Sequence, residues 1–163
     1  MGEKLSDYER ALRVSEWRRE HPHEEFPDWA NLSGANLSEA KLSSANLSGA
    51  NLSGADLRGA NLSWTSFRGA NLSGANLSEA KLNWANLRGA NLRGATLSWA
   101  GLQEAHLNGA DLCWASLQEA SLYGAKLGET DLTGADLYRA DLTGVDLGEW
   151  ERGPDGFARK KAL

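Results

Sequence analysis

A strict five-residue repeat governs most of this chain. From Ala30 onward a small residue recurs at every fifth position, and a large apolar residue follows two places after it. The large positions, from Leu32 to Leu147, are all leucine except Phe67. The small positions are alanine with three exceptions, which are Thr65, Thr130 and Val145. Because no insertion breaks this register, the 24 repeats of residues 30–149 are expected to form one continuous architecture.

A period of five fits neither a straight helix nor a flat strand. On an α-helix, which advances about 100° per residue, successive leucines would lie about 140° apart and scatter over every face. On a strand, an odd step would place alternate leucines on opposite sides of the sheet. All leucines can point into one interior only if the chain turns a corner in every repeat. The Gly, Ser or Glu two places after most leucines, and the Asn or Asp just before them, suit such turns.

Longer repeats within the sequence indicate how many sides each coil has. The segment NLSGANLSEAKL at residues 31–42 recurs unchanged at 71–82, a shift of 40 residues. That shift is a whole number of coils if a coil has four sides of five residues, but not if it has three. Trp64 and Trp84, which are 20 residues apart, fit the same count. The sequence therefore favours square coils, stacked so that backbone groups pair between coils about 4.8 Å apart.

The repeat units resemble a known motif. ANLSG, ADLRG, ANLRG and ADLTG are similar to the A(D/N)LXX unit of the pentapeptide repeat family, and the resemblance covers residues 30–149. It implies an all-β solenoid: a right-handed quadrilateral parallel β-helix of about six coils, in which the central Leu and the Ala two places before it point inward. The stretch SEWRREHPHEEFPDWANLSGANL is similar to the leader of many bacterial solenoids of this family.

A solenoid leaves an open apolar column and unpaired backbone groups at both ends, so both ends need covering. We expect residues 1–29 to form an N-terminal cap with a helix over 7–20, opened by a capping box of Ser6 and Glu9 and ended by Pro22. One face of this helix is expected to hold Tyr8, Ala11 and Leu12. Two aromatic residues then lead into the first coil, Phe26 and Trp29.

The tail, residues 150–163, allows three arrangements. It covers the last coil, forms a homodimer contact at the C-terminal end, or is disordered, and Phe157 favours the first two. Its basic residues also have an acidic neighbourhood to lie against, because residues 104–149 carry nine acidic side chains and only two basic ones. These basic residues are Arg159, Lys160 and Lys161.

No group of side chains predicts catalysis, a cofactor or a metal. Cys113 follows Leu112 in an outward position, and His106 is about one side of the coil away, so an ordinary surface cysteine is the better interpretation. His21 and His23 flank a proline and are expected to be solvated. The sequence therefore predicts a protein that is not an enzyme.

Composition argues against several classes of protein. The 163 residues include no apolar run near the twenty needed to span a bilayer, and the charged N-terminus has no signal-peptide core. A single cysteine suits the reducing cytoplasm, which is the expected location. The net charge of −5 argues against direct nucleic-acid binding.

The outward positions carry the functional information. Tryptophans replace small or polar residues at four corners, and arginines stack on the side that follows two of them. Trp and Arg are the residues of binding hot spots, so these six form a candidate protein-contact patch. They are Trp64, Trp84, Trp99, Trp114, Arg68 and Arg88. The alternative is that the rings fold back along the coil surface and stack on one another or on arginine.

Charge gives a second candidate surface. Residues 30–103 carry three acidic and six basic side chains, whereas the acidic excess lies beyond residue 103. The candidate acidic surface consists of Asp131, Asp136, Asp141, Asp146, Glu129 and Glu149. The four aspartates precede four successive leucines and would ring the last coil, which favours a role for them in turns.

Three functions are compatible with these features. The first is a non-enzymatic scaffold that binds a protein partner through the Trp/Arg patch. The second, implied by the family resemblance alone, is a DNA mimic that binds DNA gyrase or a related topoisomerase and protects it from inhibitors. A polyanion mimic needs a sustained negative field, which the first half of the chain lacks. The third is a structural rod without a dedicated ligand.

Overall fold

Each five-residue repeat forms a turn followed by a single bridging residue. In the computed structural model, which describes residues 5–162, Ala35 N–H donates to the Leu32 carbonyl at 3.1 Å and Gly34 has φ +65°. A positive φ at the second central residue is the signature of a type II turn. Where Asn or Asp precedes the leucine, its side chain supports the turn, as where Asn31 Oδ1 accepts from the Ser33 N–H at 3.0 Å. These two requirements explain the repeated Asn/Asp and corner Gly.

The repeats stack as coils of 20 residues, or four repeats each. Parallel bridges join residues 20 apart, from Asn36 with Asp56 to Ser121 with Asp141. Each bridge involves one residue per side, since the turn occupies the rest of the repeat. The expected all-β solenoid is therefore built from isolated bridges, and, within residues 5–162, extended strands occur only in the tail.

The inward positions form one apolar column. Leucines and alanines of the repeats are buried from Ala30 to Ala140, with Phe67 fully buried in place of a leucine. Thr65 and Thr130 depart from alanine without leaving a buried hydroxyl unpaired: they donate to the carbonyls of Leu42 and Leu107 at 2.7 and 2.8 Å. Hydrogen bonding between coils thus accommodates these exceptions.

The helix α1 (Asp7–Glu20) precedes the first coil. Its capping box is present, and the hydrogen bonds from Ser6 lower the pKa of Glu9. Of the three residues predicted to share one face, only Ala11 is buried; Leu12 is exposed, and Tyr8 is exposed although its hydroxyl donates to the Lys41 carbonyl at 3.1 Å. The buried side chains are Ala11, Val14, Ser15 and Arg18. This face includes polar groups because it meets the backbone edge of a coil, where unpaired N–H and carbonyl groups need partners.

Side chains of α1 bond to the edge of the first coil. Asp7 Oδ2 accepts from the Asn36 N–H at 2.8 Å, and Ser15 Oγ accepts from the Asn46 N–H at 2.7 Å. In later coils the corresponding N–H groups donate to alanine carbonyls of the coil before, as Asp56 N–H does to Ala35. The helix therefore supplies acceptors where no earlier coil exists.

A short connection leads from α1 into the solenoid through a 3₁₀-helix (Asp28–Ala30). Arg18 organises this connection: it donates to the carbonyls of His21, Pro22 and Glu24, and its guanidinium lies 3.9 Å from the centre of the Phe26 ring. The side chain of Trp29 lies outside the described part of the chain, so its predicted role is not tested.

The tail forms an antiparallel hairpin of β1 (Trp150–Arg152) and β2 (Ala158–Lys160). The hairpin lies on the last coil: Ala158 N–H donates to Ala135 at 2.8 Å, and the Trp150 indole donates to Thr130 at 3.1 Å. Lys160 pairs with Glu149 at 3.1 Å, as the charge pattern predicts. Of the three arrangements considered for the tail, the described chain has the first. Within residues 5–162, no helix combines the length and apolarity needed to cross a bilayer.

Candidate protein-contact surface

The four corner tryptophans lie in a backbone conformation that disfavours them. Their φ angles are +63° for Trp64, +57° for Trp84, +63° for Trp99 and +61° for Trp114. Left-handed backbone costs an L-residue roughly 1–2 kcal/mol, and glycine avoids this cost. Since glycine fills many equivalent corners, tryptophan is not there for the sake of the turn.

These indoles are also poorly buried. The exposed fractions are 60% for Trp64, 46% for Trp84, 61% for Trp99 and 63% for Trp114. Large apolar side chains that stay exposed in a strained conformation contribute little to the fold, and residues held in strained backbone cluster at functional sites.

The structure brings only part of the predicted patch together. Trp64 and Trp84 occupy the same corner of adjacent coils, and their rings stack with centroids 5.0 Å apart and 6° between the planes. Trp99 and Trp114 lie at two other corners. The Trp114 ring leans over Gly134 of the next coil, where an added Cβ would clash with it. The alternative prediction was that the rings fold back along the coil surface and stack on one another. Some rings have this orientation, but all four indoles remain exposed.

The two arginines stack beside the tryptophan pair. Arg68 and Arg88 lie on the side that follows Trp64 and Trp84, in neighbouring coils joined by a hydrogen bond from Gly69 N–H to the Arg88 carbonyl. Both side chains are exposed. Within residues 5–162 neither guanidinium lies over an indole or pairs with a carboxylate, so both stay available to an external group.

The aspartates of the candidate acidic surface mainly stabilise turns. Each of the four aspartates of the last coil accepts from the backbone N–H two residues later, at 2.8–3.0 Å. Hydrogen bonds from Thr133 and Thr143 lower the pKa of Asp131 and Asp141, respectively. Glu149 pairs with Lys160 of the tail. The aspartates therefore do what the asparagines do in earlier coils.

The predicted surface position of Cys113 is wrong. It is only 5% exposed, not a surface residue, and it lies between Asp111 of its own coil and Asp131 of the next. Burial, with hydrogen bonds to these two carboxylates, raises the pKa of the thiol to about 12. A thiol so far from ionisation is a poor nucleophile at neutral pH.

His106 lies near two basic side chains of neighbouring coils. Burial, together with the charges of Lys126 and Arg88, lowers the pKa of His106, so its imidazole is mainly neutral at pH 7. His, Cys, Asp and Glu side chains within the described residues form no group of three or more able to hold a metal ion.

Two exposed aromatic residues escaped the sequence analysis. Tyr123 and Tyr138 are 51% and 49% exposed. Each follows an inward leucine directly, where most repeats have Ser, Arg, Thr or Gln, and this departure was the available signal.

Comparison with known proteins identifies the family of this chain. A family model described as pentapeptide repeats matches eight copies over residues 28–59, 55–94, 95–134 and 127–148. The chain belongs to the pentapeptide repeat family. No curated protein matches significantly.

Solved structures of other pentapeptide repeat proteins are similar to this chain. Rfr23 from the cyanobacterium Cyanothece 51142 is 38% identical with a TM-score of 0.54, over 60% of this chain and 63% of Rfr23. HetL from Nostoc sp. strain PCC 7120, a protein involved in heterocyst differentiation regulation, is 37% identical with a TM-score of 0.48, over 79% and 64% of the two chains. QnrB1, a plasmid-mediated fluoroquinolone resistance protein, is 22% identical with a TM-score of 0.34, over 72% and 74%.

The matched region is less than two thirds of the length of both Rfr23 and HetL. At 22% identity, the likeness to QnrB1 concerns the fold alone. Family membership thus indicates a right-handed β-helix, while partner and process depend on this chain's own surface.

Proposed function

We propose that this pentapeptide repeat protein is a non-enzymatic scaffold that binds a partner protein through its corner tryptophans and the adjacent arginines. The observation that carries the proposal is the set of four exposed indoles held at left-handed corners. Exposed tryptophans at strained positions are better explained by recognition than by stability.

The Trp64/Trp84 pair is the centre of the proposed surface. Two parallel stacked rings form a flat apolar plate, and Arg68 and Arg88 on the following side supply two exposed guanidinium groups that pair with no carboxylate of residues 5–162. Such a plate with a cationic border resembles an interface core with a polar rim. Trp99 and Trp114, at other corners of the following coils, extend contact around the solenoid to a partner that wraps it.

The same proposal assigns roles to the rest of the chain. Residues 30–149 form six coils as a rigid support, residues 1–29 cap the first coil, and residues 150–163 cover part of the last. The contacts of Asp7 and Ser15 with the first coil support the cap, and the reduced Cys113 fits a cytoplasmic location.

The gyrase-binding alternative has less support. The aspartates of the last coil accept hydrogen bonds from their own turns, and residues 30–103 carry more basic than acidic side chains. An extended negative surface like that of DNA would need the opposite balance.

The test is partner capture with the aromatic plate removed. Immobilised wild-type protein and the double variant W64S/W84S are compared for the proteins retained from lysate of the source cells, with Tyr123→Ser as the control for loss of an exposed aromatic elsewhere. We expect one or more proteins to bind wild type and Y123S alike but W64S/W84S about 30-fold more weakly, the effect of losing a hot spot of about 2 kcal/mol. Equal retention by all three proteins would contradict the proposal.

A further inference from the structure

The ladder between coils breaks near the C-terminal end. From residue 32 to residue 124, each inward leucine or Phe67 and each corner residue donates its N–H to the next coil, as Leu107 does to Lys126 and Gly109 to Gly128, whereas Leu132 and Gly134 of the last coil have no such acceptor within residues 5–162. The equivalent donors one coil later are Leu127 and Glu129, and within residues 5–162 neither N–H has an acceptor. The preceding side is intact, because Leu122 N–H still donates to Asp141.

By the register of the ladder, Leu127 and Glu129 would donate to the carbonyls of Asp146 and Gly148, and an inverted turn lies at this point of the chain. At residues 147–150 the positive φ lies at the first central residue, Gly148 (φ +56°), instead of the second, and Trp150 N–H closes the turn on Leu147 at 3.0 Å. This arrangement is that of a type II′ turn. The turn leads directly into β1 of the tail hairpin, which begins at Trp150.

A cleft opens where the two sides part. It has a volume of about 670 Å³ and lies between residues 124–131 and 144–150. Leu127, Leu147 and Trp150 give it apolar walls, and Leu147 is only partly buried. Asn108 also lines the cleft, and its buried Oδ1 has no hydrogen-bond partner in the described part of the chain. Unsatisfied backbone and side-chain groups beside apolar walls are the components of a site that receives an added strand.

The charges at the cleft indicate which kind of peptide segment it would bind. Four carboxylates and two ammonium groups line it, and Lys160 is already paired with Glu149 at 3.1 Å. Lys161 reaches the rim, where its ammonium donates to the Gly148 carbonyl at 2.7 Å, so the carboxylates still outnumber the ammonium groups by one. The balance favours a segment that carries Lys or Arg.

We propose that this cleft binds an extended, basic segment of a partner protein by strand addition. Carbonyls of two residues spaced two apart in the segment accept from Leu127 and Glu129, replacing the missing acceptors of the ladder. Apolar side chains of the segment pack on Leu127 and Leu147, and basic side chains meet Asp146 and Glu129. This site is separate from the tryptophan surface and does not depend on it.

The test uses the full-length protein labelled with ¹⁵N and two synthetic peptides, acetyl-KVKVK-amide and acetyl-EVEVE-amide. In the free protein, the amides of Leu127 and Glu129 should exchange with solvent at least tenfold faster than those of Leu107 and Gly109. The basic peptide should shift the resonances of Leu127 and Glu129 and slow their exchange at least tenfold, whereas the acidic peptide should not.

A charge variant makes the test specific. E129Q/D146N should weaken binding of the basic peptide severalfold, because asparagine at position 146 keeps the turn acceptor but loses the charge. E20Q/E25Q, which removes the same charge from the N-terminal region, should bind as wild type does. Full protection of the Leu127 and Glu129 amides in the free protein would overturn the proposal. Equal binding of both peptides, or no shift at these amides with millimolar basic peptide, would overturn it too.

Discussion

At the scale of single residues, the corner positions show which side chains the fold itself does not require. A corner needs left-handed backbone, which glycine adopts without strain and other residues adopt at a cost. Tryptophan at a corner therefore lowers the stability of the solenoid and leaves an indole exposed to solvent. Trp99 is the clearest case, since it is 61% exposed and makes no ring contact within the described residues.

Trp99→Gly should therefore stabilise the protein. Relief of the left-handed strain at φ +63° outweighs the small contact area of the ring, and we expect the free energy of unfolding to rise by about 1 kcal/mol. Gly94→Ala is the matched control, because that corner has φ +65° and open space around it, so an added methyl group changes only the strain. It should lower the free energy of unfolding by about 1 kcal/mol. In urea unfolding, a destabilised W99G would mean that the ring packs on the coil and is not held for recognition.

At the scale of elements, the sequence predicted what depends on periodicity. The inward register of the leucines and alanines, the 20-residue coil and the start of α1 all follow from spacing and capping residues. Two features depend on neighbours remote in sequence and were not predicted. Cys113 is buried because Asp131, from the next coil, lies against it, and the buried face of α1 is set by the backbone edge that Ser15 meets. The plate of Trp64 and Trp84 was predictable as a stack 20 residues apart, whereas the cleft was not, since a displaced positive φ at Gly148 cannot be read from glycine alone.

The bond between α1 and the first coil gives the prediction at this scale. Ser15→Ala leaves the Asn46 N–H without its acceptor in a nearly buried site, where Ser15 is 3% exposed. An unsatisfied buried donor costs about 1–3 kcal/mol, so we expect that loss in urea unfolding, together with faster exchange of the Asn46 amide. The exposed Ser43 provides the control: Ser43→Ala should change stability by less than about 0.5 kcal/mol. If S15A matches S43A, α1 does not stabilise the end of the solenoid through this bond.

At the scale of the whole molecule, charge is distributed along the axis of the solenoid. The basic excess lies in residues 30–103, and the acidic excess lies in residues 104–149, where aspartate takes over from asparagine as the residue that supports the turns. The two residues accept the same hydrogen bond, but only aspartate makes that bond sensitive to pH. The C-terminal coils should therefore be the acid-labile part of the molecule.

The pH dependence of stability follows from the pKa shifts. Folding lowers the pKa of Asp131 and Asp141 below the ordinary value of 3.8, so the ionised form is favoured in the folded state. The stability that they contribute is complete above that ordinary value and is lost as the pH falls through the lower folded values. His106 acts in the same direction at higher pH, because its folded pKa lies below 6.5 and its contribution falls away beneath that value.

D131N/D141N should remove part of the acid sensitivity and preserve the turns. Asparagine keeps the Oδ1 acceptor for the backbone N–H of Thr133 and Thr143, but it does not titrate. Measured by urea unfolding from pH 6 to pH 3, the variant should lose stability less steeply than wild type below about pH 4. E20Q/E25Q, with the same change in net charge, should follow the wild-type curve and so exclude a general charge effect. If D131N/D141N loses stability as steeply as wild type does, the aspartates of the last coils contribute no acid-labile bond, and the acidic excess at this end has to be explained by binding.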